Sequence, residues 1–183
     1  ETIYWSKPQY DAAGRVVESF APAPDGQTGA SLGTVEFGIS AETNLIGSYQ
    51  IATDASGRKS RAISGIYGIM RVDEATSIGG TVNQDLGPLE NPNQPTSYSY
   101  NIKGELTKIT QGKPNQLVQY RHFMYDSLGR LIRVRQPEQI PNAAIATTGQ
   151  PDTDSWTASF SYNVFGNVIS KKKKKNATIT NHY

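Results

Sequence analysis

Asp126 and Arg130 stand four residues apart, and the same two types recur at that spacing in Asp11 and Arg15 and in Asp54 and Arg58. A carboxylate and a guanidinium so placed could transfer protons, hold an anion or close a turn. The residues between them favour the turn. Each pair brackets Asp-x-x-Gly-Arg, with Gly14, Gly57 and Gly129 at the fourth place. Asp at the first position of a type I turn can accept from the backbone two residues on. Gly after it can take the positive φ that a three-residue hairpin with a bulge requires. The pattern predicts a hairpin tip with Asp126 opposite Arg130 and Tyr125 opposite Leu131. Two further copies, Tyr100-Asn101-Ile102-Lys103-Gly104-Glu105 and Tyr162-Asn163-Val164-Phe165-Gly166-Asn167, start with Asn, and both lack the Arg. Opposed residues in an antiparallel pair interact by about 0.2–1 kcal/mol. Loss of the two partners together therefore supports the pairing.

Other chemistry is sparse. With no cysteine there is no thiolate nucleophile, no disulfide and no Cys-based metal site. His122 and His182 are the only imidazoles. His122 lies in a predicted strand, and nothing resembles a nucleophile elbow, so it reads as a histidine on a sheet face. Asp152 with Asp154, or Asp73 with Glu74, could be imagined as calcium ligands or glycosidase acids. Neither pair has EF-hand spacing, and both are expected in loops. Asn176-Ala177-Thr178 is a glycosylation sequon. No enzymatic activity and no cofactor are expected.

Lys171, Lys172, Lys173, Lys174 and Lys175 form the strongest charge feature, a candidate polyanion patch. Without these five, the 18 Lys and Arg fall to 13 against 16 Asp and Glu, so the overall +2 belongs to one pentapeptide. Nucleic acid is therefore not an expected partner. Aromatics such as Tyr98, Tyr100, Phe160 and Tyr162 alternate onto single strand faces. They read as ladders between neighbouring hairpins, with a sugar-stacking surface as the alternative.

The elements that must position these residues are short strands. Hydrophobic residues make up 36% of the 183, which suits sheets with one solvated face, and 17 Gly with 10 Pro supply many turns. No run is long enough to span a bilayer as a helix. The hairpin tips at Tyr10, Thr53, Tyr100, Tyr125 and Tyr162 are separated by inserts. Long loops are expected at about 21–48, 73–95 and 137–154, the first with apolar islands at Val35 to Ile39 and Leu45 to Tyr49 that read as short strands or an excursion packed over the sheet. Gly65-Ile66-Tyr67-Gly68 reads as an altered tip. Thr178 to Tyr183 looks like the incoming strand of one more repeat.

Tyr-Asp-x-x-Gly-Arg-Leu recurring at variable spacing resembles the YD-repeat (Rhs) family, which includes Rhs proteins, toxin-complex shell components and the teneurins. The likeness touches most of the chain from Tyr10 to Tyr183. It implies an all-β fold in which antiparallel hairpins join edge to edge in an extended, curved sheet over residues 1–183, as the wall of a shell or a fibre segment. It implies a structural, extracellular or cell-surface role, with partners met through strand edges: copies of itself or adjoining repeats of a longer chain. These hairpins are too few to close a shell of the family's kind, and the family's self-cleavage motif has no match here. A carbohydrate- or polyanion-binding adhesion module is the alternative expectation.

Overall fold

The computed structural model describes residues 3–24, 26–42, 45–75, 77–78, 81–82, 85–113, 118–136, 156–173 and 180–182. The described residues are all-β, with no helix among them, and every strand pairing is antiparallel. Contacts divide the chain into two compact units, Glu1–Pro95 and Thr96–Tyr183.

The first unit holds β1 (Tyr4–Trp5), β2 (Gln9–Tyr10), β3 (Val16–Phe20), β4 (Ala23–Pro24), β5 (Ser31–Glu42), β6 (Leu45–Asp54), β7 (Lys59–Gly65), β8 (Gly68–Glu74), β9 (Ser77–Ile78) and β10 (Thr81–Val82). Its main sheet runs β8-β7-β6-β5-β3-β2, while β1 with β4 and β9 with β10 form two-stranded ribbons. The second unit holds β11 (Gln94–Tyr100), β12 (Leu106–Gln111), β13 (Gln119–Tyr125), β14 (Leu131–Arg135), β15 (Ala158–Tyr162), β16 (Val168–Lys173) and β17 (Thr180–His182). These seven follow one another in sequence order, each hydrogen-bonded to the next. This is the low contact-order arrangement that tight hairpins dictate.

Two expected loops are corrected. Most of residues 21–48 is not loop: β5 and β6 form a long hairpin, registered from Gly33 opposite Asp54 to Glu42 opposite Leu45. The glycines there are strand residues, placed where a neighbour comes close. A Cβ on Gly38 would strike the Tyr49 ring, and one on Gly47 would strike the Ser64 carbonyl. The expected loop at 73–95 is shorter than read. Asp73 and Glu74 belong to β8, the β9–β10 ribbon lies inside the stretch, and Gln94 already starts β11. The third expected loop, 137–154, falls outside the described residues except as the connection between β14 and β15. Asp152, Asp154, Lys174, Lys175, the sequon at Asn176 and Tyr183 lie outside them as well.

Burial is sparse and mixed. In the first unit, Ile63, Ala23, Ala75 and Leu86 are buried together with Ser40, Arg61 and Asp73. In the second, Val134 is buried beside His122, Arg135 and Thr157. Thr157 Oγ1 donates to the Val134 carbonyl at 3.0 Å and accepts from the Gln136 N–H at 3.1 Å. A sheet with so little apolar core depends heavily on its backbone ladder and on satisfied polar contacts.

Candidate functional site

The five Asx-x-x-Gly tips share one geometry. In each, Oδ1 of the first residue accepts from the backbone N–H groups two and four residues on, at 2.9–3.0 Å. The first residue's own N–H donates to the carbonyl four residues on, and the Gly N–H donates back to the first residue's carbonyl. Gly14, Gly57, Gly104, Gly129 and Gly166 have φ between +78° and +84°. That is the left-handed conformation Gly adopts without strain. The register shifts just before the tip at Tyr10, Tyr100, Tyr125 and Tyr162, and Tyr125 stands opposite Leu131. Asn serves as well as Asp because only a side-chain oxygen is needed.

The fifth residue of the tip differs in what it adds. Arg15 binds Asp11 through Nε at 2.7 Å and Nη2 at 2.6 Å. Arg130 Nε lies 2.7 Å from Asp126 Oδ2. Arg58 turns instead toward Glu74, at 3.9 Å, while Asp54 accepts from the Ser56 hydroxyl at 2.6 Å. Asn101 Nδ2 donates to Glu105 at 2.6 Å, so this Asn tip keeps a cross-turn bond with the roles reversed.

These contacts set the acidity of the carboxyls. The backbone N–H of Arg15, then its guanidinium, hold Asp11 below the usual carboxylate range. For Asp126 the backbone N–H of Arg130 is the main cause, with its guanidinium adding to it against a desolvation that pulls the other way. The Ser56 hydroxyl leads for Asp54, followed by the Arg58 N–H. Burial, with Glu105 nearby, pushes the Tyr125 phenol up. Carboxylates held ionised, and for Asp11 and Asp126 engaged at both oxygens, make poor general acids at neutral pH. What they do well is fix a turn.

Successive tips in the second unit also touch. Lys103 Nζ donates to the Ser127 carbonyl at 2.8 Å, bridging the first tip to the second. Arg130 Nη1 donates to the Asn163 carbonyl at 3.3 Å, and its guanidinium sits 4.8 Å from the Tyr162 ring centre. The Tyr162 hydroxyl donates to the Leu131 carbonyl at 2.7 Å. Arg130 thus closes its own turn and grips the next hairpin. In the first unit, Arg15 lies 4.0 Å over the Phe37 ring. Aromatics expected to stack on one another meet cations at these places, as Tyr120 meets Lys108 at 4.8 Å and Phe160 meets Lys171 at 5.5 Å.

Sequence reasoning missed a buried charge cluster. Arg61 on β7 stands opposite Asp73 on β8, and Arg71 lies two residues before Asp73. Arg61 Nε and Nη2 each reach Asp73 Oδ2 at 2.7 Å, and Arg71 Nε lies 2.8 Å from Oδ1. The two guanidiniums also hold the segment at 87–89: Arg61 donates to the Gly87 and Pro88 carbonyls, and Arg71 to that of Leu89 at 2.7 Å. Asp73 is fully buried, so this is an internal clamp rather than a loop acid. Counting back from the tip at Ile66 and Tyr67 would have set Arg61 opposite Val72; a register shift between Ile63 and Ser64 brings it opposite Asp73 instead.

The remaining candidates are scattered. His122 is buried on β13, between Lys108 on β12 and Arg135 on β14 in register. Lys171, Lys172 and Lys173 are exposed on β16, opposite Phe160, Ser159 and Ala158. Among the described residues no three His, Asp or Glu gather in a way that could hold a metal ion. No helix among them is long and apolar enough to cross a membrane. No protein-family model matches the chain, and no curated protein matches it.

Proposed function

We propose that this chain is a structural, non-catalytic segment of YD-repeat type, part of an extracellular shell wall or of a self-assembling fibre or tube. The observation that carries the reading is the tip: five copies of one turn, each closed by its own Asx and Gly, with contacts that pass from one hairpin to the next. A unit of this kind extends a sheet. Its ladder ends, β2 in one unit and β17 in the other, carry backbone groups suited to pairing with another strand. The partners are adjoining repeats or further copies, and head-to-tail pairing of such edges gives rings or filaments. Electron microscopy of the concentrated protein tests this. Tubes, fibres or curved sheets support it, and uniform single particles at all concentrations count against it.

A second reading, a carbohydrate-binding adhesion module, draws on exposed aromatics. Tyr4, Trp5 and Tyr10 are more than half exposed at the start of the first unit. Glycan-array binding lost in Trp5→Ala would favour it, and absence of binding would remove it.

A further inference from the structure

The tip geometry is made by the Asx oxygen and the Gly. In the second unit the turn takes from the residues between them a backbone N–H, that of Lys103, Leu128 or Phe165. In the first unit these places hold Ala12, Ala13, Ala55 and Ser56. In the second they include Ile102, Leu128, Val164 and Phe165, whose exposures are 91%, 74%, 92% and 85%. These side chains stand in solvent, and apolar side chains gathered along one end of a sheet mark a candidate interaction site.

Topology gathers them. β11 to β16 follow one another antiparallel, so their three tips fall at the same end of the strands. Neighbouring tips are two strand spacings apart, roughly 10 Å. The Lys103–Ser127 and Arg130–Asn163 bonds tie them into a row. The row is a set of separate apolar prongs with polar bridges between.

We propose that this row inserts into the interfacial layer of an anionic lipid surface, with Lys171, Lys172 and Lys173 attracting its headgroups. Three observations select lipid as the occupant. The prongs stand apart, so a folded partner would need a separate pocket for each, whereas a fluid layer closes around every one. They offer roughly 500 Å² at most, short of the roughly 800 Å² that each partner contributes to a stable protein pair. The charge is also suited. Asp126 is paired with Arg130 and Glu105 is held by Asn101, while the strand leaving the last tip carries three exposed lysines. Lys171 starts roughly 13 Å from the turn at 3.3 Å per residue. Allowing for its flexible side chain, it comes within about a Debye length of a surface the tips have entered. The inference stands independently of the sheet-extending role.

Co-sedimentation with vesicles tests it, comparing mixed phosphatidylcholine–phosphatidylserine vesicles with phosphatidylcholine alone. The protein should bind the mixed vesicles more tightly, and added salt should weaken that binding. Val164→Ser with Phe165→Ser should lower binding at least about tenfold, given the apolar area removed. Replacing the three lysines by Gln should weaken binding to mixed vesicles and leave the weaker binding to neutral ones unchanged. Leu128→Ser, on a different tip, should weaken binding in the same sense, and far-UV circular dichroism of each variant should match the parent. Failure of the parent protein to bind mixed vesicles would overturn the proposal, as would serine variants that bind equally well. So would a free protein whose dimer dissociates in the serine variants, because the edge would then be a contact between copies.

Discussion

Arg61 directs both Nε and Nη2 at one oxygen of Asp73, each at 2.7 Å, from the residue directly opposite on the neighbouring strand. Arg71 Nη2 donates to that same oxygen at 3.0 Å while its Nε lies 2.8 Å from the other, and both arginines reach carbonyls of residues 87–89. Asp73→Ala would leave two largely buried cations without their counter-charge, a change that costs about 3–5 kcal/mol. Denaturant unfolding should show a loss of that size. Replacing Arg61, Asp73 and Arg71 together by apolar residues should cost less than Asp73→Ala alone. Amide exchange across residues 85–93 should accelerate in both variants, because the clamp on that connection is gone.

The tip glycines separate backbone strain from crowding. Gly14 and Gly129 share φ near +80°, but a Cβ on Gly14 meets nothing within 4 Å, while one on Gly129 lies 2.8 Å from Glu105 Oε1. Gly14→Ala should cost about 1–2 kcal/mol, the strain of a left-handed non-glycine residue. Gly129→Ala should cost more, by up to about 1 kcal/mol, because moving Glu105 disturbs its bond from Asn101. Equal losses at the two sites would contradict the packed position of Glu105.

Acid should weaken the tips. Asp11, Asp54 and Asp126 are all held below the usual carboxylate range in the folded chain. In the unfolded chain an Asp titrates near about 3.9, so the unfolded state takes up more protons as pH falls. Their contribution is complete above that value and is lost as pH drops through the lower folded values. Tyr125 works in the opposite sense. Its folded value is raised above 10.0, so its contribution is complete below about 10 and is lost as pH rises through the raised value. Replacing the three Asp by Asn should flatten the acid limb of a stability–pH curve while keeping the turns, as Asn101 and Asn163 already do.

Hairpin-to-hairpin coupling is measurable at Tyr162. Its hydroxyl donates to Leu131 at 2.7 Å, and its ring lies beside the Arg130 guanidinium. Tyr162→Phe should cost about 0.5–1.5 kcal/mol for the lost hydrogen bond. A double-mutant cycle of Tyr162→Leu with Arg130→Met should give a coupling energy of about 0.5–1 kcal/mol. Zero coupling would mean that the two hairpins are joined by their backbone ladder alone.

The turns were legible in the sequence because everything that makes them is local: one side-chain oxygen, one Gly and flanking strand residues. The β5–β6 hairpin was hidden for the opposite reason. Gly33, Gly38 and Gly47 suggest a loop by composition, yet they are required by the nearness of Thr53, Tyr49 and Ser64 on adjacent strands. Composition cannot report a neighbour's approach. The Arg61–Asp73 clamp was obscured by the Pro, Gly and Asn that follow it, which drew Asp73 into the expected loop. The grip of Arg130 on Tyr162 spans 32 residues of sequence, so no local pattern could carry it.

Sedimentation equilibrium of the 183-residue chain over a wide concentration range tests most directly whether this sheet is a unit that extends itself. Association that grows with concentration, and that persists when Val164 and Phe165 are replaced by Ser, is the predicted result. A 20.0 kDa monomer at every concentration would contradict it.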